Sequence, residues 1–121
     1  MHMIEEIVRE VAGATDEEMT EYSECKRLMQ MIEAEMRERR YEIPRYRWLA
    51  ICAHLLAFVR RMASGEKLPE VEAELFEEIH PNMLALSRRI LFGQETGWQE
   101  DRTEVFLLAV HFEAIRADQG K

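Results

Sequence analysis

A chain of 121 residues with 47% hydrophobic and 33% charged side chains can bury a core of its own and is too apolar to stay disordered. Sixteen basic residues against 24 acidic ones leave a net charge of -8, which repels a phosphate backbone unless the arginines gather in one patch, so direct nucleic-acid binding is not expected. No apolar run reaches the ~18 residues of a membrane span, the N-terminus lacks the basic stretch of a signal peptide, and Cys25 and Cys52, far apart in sequence, suit reduced, buried thiols in a cytoplasmic protein.

In chain order, Ile4, Ile7, Val8 and Val11 recur at helical spacing before Gly13, which predicts a short N-terminal helix over 1–14. Thr15 with Glu18 reads as a capping box. The helix it opens carries the stripe Met19, Tyr22, Cys25, Met29, Ile32 and Met36, with arginines at 37, 39 and 40 in its last turns, where cations suit the helix dipole. Ile43-Pro44 breaks the pattern. A second long helix is expected from about Arg45 to Ala63, with Trp48, Ile51, Cys52, Leu55, Val59 and Met62 as its stripe and His54 beside it.

After the turn at Ser64-Gly65, Pro69 fits the first position of a helix with Val71, Leu75, Phe76 and Ile79 on its apolar side. His80-Pro81-Asn82 reads as a helix-breaking corner. Met83, Leu84, Leu86, Ile90 and Leu91 form a further helix ending near Gly93, and Asp101 can cap a final helix reaching about Ala117. The tail 118–121 is expected to fray. No segment alternates with period two. The expectation is an all-α antiparallel bundle of five helices, six with the N-terminal turn, with a single helical domain over 15–117. Met29, Ile32, Trp48, Ile51, Leu55, Leu75, Ile90, Leu108 and Phe112 are its expected core. Several apolar helix faces in so small a bundle point to a homodimer.

Two stretches can carry chemistry. In Ile51–Arg61 a lone His54 sits in an apolar helix, with Arg61 seven positions on and Arg60 before it. In Thr103–Phe112, Glu104 and His111 are also seven apart. At about 3.6 residues per turn, each pair points the same way. Histidine can act as acid or base, metal ligand, pH sensor or phosphoryl acceptor. The plain alternatives are core-edge rings and a solvated arginine pair at a helix C-terminus. No His-x-x-His, Glu-x-x-His or Cys-x-x-Cys pair is present, so a metal site would have to come together by tertiary contact alone. Neither a nucleophile elbow nor a glycine-rich phosphate loop is found. No enzyme activity and no cofactor are expected.

At these two stretches the chain resembles the PRD domain, the phosphotransferase-system regulation domain of bacterial antiterminators and transcriptional activators. One mark is the helix His54-Leu55-Leu56-Ala57-Phe58-Val59-Arg60-Arg61 followed by the turn at Gly65. The other is Glu104, an apolar run, and Leu108-Ala109-Val110-His111-Phe112. The resemblance covers roughly Asp16 to Ala117. It implies that His54 and His111 accept phosphoryl groups from the phosphocarrier protein or a sugar-specific enzyme II, with Arg61, Glu104 and Arg60 alongside. It also implies that phosphorylation changes dimerisation. Family members usually carry two copies joined to an RNA- or DNA-binding module, whereas this chain has one copy, like the stand-alone proteins of this type. Ala53 and Thr103 stand where the family often has polar or acidic residues. A helical dimeric interaction module without phosphorylation is the alternative, and a small enzyme or metal protein using His54, His111 and Glu104 is a third. If both histidines are acceptors, their rings are expected on one side of the molecule, roughly 15 Å apart or less, because Coulomb coupling fades with distance.

Overall fold

Capping chemistry sets most of the helix boundaries in the computed structural model, which describes residues 3–12, 19–93 and 97–119. Six α-helices and no strand are found among the described residues: α1 Met3–Ala12, α2 Met19–Glu38, α3 Arg45–Ser64, α4 Ala73–Phe76, α5 Pro81–Phe92 and α6 Arg102–Asp118. The all-α expectation holds, and the N-terminal turn is a helix in its own right. The capping box at Thr15 and Glu18, the turn at Gly13, part of the loop around Gln94, and Gly120 and Lys121 of the tail lie outside the described residues.

The chain divides by its internal contacts into two units, Met1–Gly65 and Glu66–Lys121. In the first, α1, α2 and α3 pack on one another. Ile4, Ile7 and Val8 of α1 are fully buried, as are Cys25, Leu28, Met29 and Ile32 of α2 and Ile51, Cys52, Leu55 and Phe58 of α3. All of these but Leu28 and Phe58 belong to the helical stripes read from the sequence, turned inward as a 3.6-residue period requires, while Tyr22 and Met62 of those stripes are only half-buried. At the end of α2, Arg40 adopts φ 60°. The Tyr41 N–H donates to the Met36 carbonyl at 2.9 Å and the Arg40 N–H to that of Arg37 at 3.0 Å. That is the paired bonding of a left-handed helix cap, with an arginine where glycine is usual. Pro44 then opens α3, its carbonyl accepting from the N–H groups of Arg47 and Trp48. Gly65 closes α3 at φ 81°, a conformation that favours glycine, and its N–H donates to the Arg61 carbonyl at 2.8 Å.

In the second unit α5 packs against α6. The corner His80-Pro81-Asn82 proves to be the start of α5. His80 is the N-cap, its Nδ1 accepting from the Asn82 N–H at 3.1 Å, and Pro81 takes the first turn, where a missing N–H costs nothing. Asp101 caps α6 as expected, accepting from the N–H groups of Thr103 (2.9 Å) and Glu104 (3.3 Å). The buried hydroxyl of Ser87 on α5 donates to the Val105 carbonyl of α6 at 2.7 Å.

One expectation fails here. The helix foreseen from Pro69 does not form: residues 66–72 are irregular and α4 spans four residues. Leu75, foreseen in the core, is 40% exposed. The run from Glu66 to Glu78 mimics helical apolar spacing, but its crowded glutamates repel one another, and few apolar side chains are available to bury one face. Phe76 does pack, with its ring 5.0 Å from that of Phe106 and the Arg102 guanidinium 4.8 Å above it.

Candidate functional site

His54 lies near the middle of α3, in the first unit. Its neighbours along the helix are the fully buried Leu55 and Phe58, and the ring itself is half-buried, with Nε2 sealed from water. Arg61 is half-buried and shares the His54 face by register, two turns toward the C-terminus. Arg60 points elsewhere: its Nε donates to Glu21 of α2 at 2.7 Å in a pair whose side chains are 46% and 29% exposed. Of the two arginines, Arg61 is therefore the one placed to share a ligand with His54, while Arg60 ties α3 to α2.

His111 lies on α6, in the second unit. It too is half-buried, with Nδ1 sealed from water, and it sits between exposed Val110 and fully buried Phe112. Glu104, two turns toward the N-terminus, is only 1% exposed. A carboxylate in the first turn is favoured by the helix dipole. The helix thus carries a buried acid and a half-open imidazole on one register line. Among the described residues, no three His, Cys, Asp or Glu side chains are grouped to hold a metal ion. No described helix is long and apolar enough to cross a membrane.

Sequence reading did not find the roles of His80 and Glu113. The backbone N–H of His80 donates to Glu113 at 2.9 Å, and the Arg116 guanidinium pairs with the same carboxylate at 2.6 Å. Arg116, then the His80 N–H, hold the Glu113 carboxyl below its ordinary value of 4.5. The Glu113/Arg116 spacing of three was a usable signal; the link back to His80 was not. The two cysteines also meet. The Cys25 thiol lies 3.7 Å from both the Cys52 sulfur and the Cys52 carbonyl. Donating to Cys52 and being buried push the Cys25 thiol well above its usual range. A cavity of about 270 Å³ in the second unit is lined by Lys67, Leu68, Phe76 and Arg102 among others, and by neither histidine.

No family model matches the chain, and no curated protein does. Among solved structures, the chain is similar to a PRD-containing transcription regulator from Lactobacillus casei ATCC 334. The TM-score is 0.70, with 19% identity over 93% of each chain. At that identity the likeness is one of fold, and the fold is PRD-like.

Proposed function

We propose that this chain is a bacterial, cytoplasmic regulatory domain of the PRD type. It reads the activity of the sugar phosphotransferase system through phosphorylation of His54 and His111. It has a part in transcription regulation as a homodimer, without catalysis or cofactor. The observation that carries the reading is that each histidine sits half-buried in an apolar helix with a charged residue two turns away on its own face. A neutral ring so placed can accept a phosphoryl group, which adds nearly two negative charges where packing is sensitive to them. The PRD-like fold supports the same reading.

The donor is a phosphohistidine on the phosphocarrier or on an enzyme II. Its P–N bond breaks as the lone pair of the acceptor nitrogen forms the new one; the donor ring, protonated on its second nitrogen, leaves as neutral imidazole, and the acceptor ring keeps its own N–H.

Incubation with phosphoenolpyruvate and the general phosphotransferase proteins is the test. Acid-labile phosphate is expected on the wild type, on one site in His54→Ala or His111→Ala, and on neither in the double variant. Nitrogen NMR of the phosphorylated rings reads the attachment. Absence of label on the wild type removes the proposal and leaves the second reading, a dimeric interaction module, which the exposed apolar Val110 and Tyr46 favour.

A further inference from the structure

The turn joining α2 to α3 is basic in an acidic chain. Arg37, Arg39, Arg40, Arg45 and Arg47 fall within eleven residues, interrupted in charge only by Glu38 and Glu42. Arg39 is held by Glu35 at 2.7 Å. Arg37 reaches Glu33 only at 3.5 Å and keeps 74% of its side chain in solvent, and Arg40 and Arg45 are exposed. Beside them opens a cavity of about 220 Å³ lined by the apolar Met3, Met36, Ile43 and Trp48, with Tyr41, Arg37 and Glu33. A largely apolar hollow with the solvent-reaching Arg37 guanidinium at its edge, on a turn that carries further exposed arginines, suits a ligand with an apolar anchor among carboxylates.

The second unit carries that ligand. Residues 66–78 hold six glutamates, at 66, 70, 72, 74, 77 and 78, against the single Lys67. Leu75 stands among them on α4, 40% exposed, with Glu72, Glu74 and Glu77 exposed around it. A large aliphatic side chain left in water inside a run of carboxylates is the complement of the cavity at Trp48 in both polarity and charge.

We infer that these surfaces meet between two copies of this chain: Leu75 of one copy enters the cavity beside Trp48 of the other, and Glu72 and Glu74 face Arg37 and Arg45. The inference rests on the homodimer of the preceding section and assigns its interface. Where the exchange is reciprocal about a two-fold axis, each copy gives one segment and receives another, and the assembly closes at two. A nucleic-acid strand suits the site less well, since its phosphates would meet the arginines while the net charge of -8 repels it.

Sedimentation of the full chain tests the interface. The wild type is expected to dimerise and to weaken as salt is raised past the range where the Debye length falls below about 10 Å. Leu75→Asp removes one buried leucine from each of the two reciprocal contacts and should raise the dimer Kd by about a hundredfold or more. The doubly reversed hairpin, Arg37→Glu with Arg45→Glu, should be monomeric alone. So should the doubly reversed segment, Glu72→Arg with Glu74→Arg. An equimolar mixture of the two should recover the dimer, because both reciprocal contacts then join opposite charges. All these positions are exposed, and circular dichroism checks that each variant is folded. A wild type that stays monomeric at high micromolar concentration overturns the interface together with the homodimer. Variants that dimerise like the wild type overturn the interface alone and leave the homodimer standing. Loss of association that the mixture fails to restore also overturns the pairing.

Discussion

The two units hold their histidine-bearing helices by different physics. In the first, α3 packs on α1 and α2 along fully buried side chains, and its polar ties to α2 are the exposed Arg60–Glu21 pair and the weak, buried bond from the Cys25 thiol to the Cys52 carbonyl. In the second, α6 has one long partner, α5, and its polar ties are a buried hydroxyl bond from Ser87 and a capping link from Glu113 to the His80 backbone. The charge beside each ring differs as well: half-buried Arg61 shares a face with His54, and sealed Glu104 with His111. The lesson is that one helical spacing, a histidine with a charge seven residues away, carries opposite electrostatics according to the residue placed there, while packing decides how far that charge is sealed from water. New negative charge at His54 would be drawn toward Arg61, while at His111 it would be pushed from Glu104.

The comparison is broken most sharply at the aromatics. Phe58 on α3 and Phe112 on α6 are both fully buried, so each truncation to alanine should cost about 3–5 kcal/mol in denaturant melts. Two transitions, with Phe58→Ala moving one and Phe112→Ala the other, would show that the units unfold separately; a single transition moved equally by both would show one cooperative fold.

Ser87→Ala removes a second hydrogen bond to the Val105 carbonyl, which lies inside α6, and should cost about 0.5–1.5 kcal/mol. A smaller loss, present at neutral pH and fading in acid, belongs to Glu113. Its folded pKa lies below the ordinary 4.5, so its contribution is present above that value and disappears as pH falls through the depressed one. Glu113→Gln should therefore lower the Tm at pH 7, and the gap to the wild type should close as pH falls below 4.5. Smallest of all is Glu21→Gln in the first unit. The pair with Arg60 is half in solvent, so the loss should be at most about 1 kcal/mol and should vanish in high salt. A salt-independent loss as large as that of Ser87→Ala would mean that α2 and α3 depend on the pair as α5 and α6 depend on Ser87.

Much of the fold was legible because its signals are local. Pro44 and Gly65 bound α3, Asp101 opens α6, and the stripes through Met29, Ile32, Ile51, Leu55, Leu108 and Phe112 are buried as their spacing requires. The failure between Glu66 and Glu78 has the same root. Val71, Leu75 and Phe76 carry the right spacing, but spacing alone cannot show that too little apolar surface stands opposite to bury the segment. His80 looked like a breaker, since a capping imidazole is recognised only by the N–H it accepts from.

For the candidate site, periodicity along the chain was enough to put His54 with Arg61 and Glu104 with His111 on shared faces, because helix geometry repeats over a few residues whatever surrounds it. Periodicity could not choose what lies across from a face. That Arg60 turns to Glu21, that Cys25 meets Cys52, that Glu104 is sealed while His111 stays half open, and that Ser87 reaches Val105 were decided by packing between helices. Those outcomes depend on which residues distant in sequence come within a few ångströms, and side-chain charge and burial follow from that proximity rather than from order along the chain.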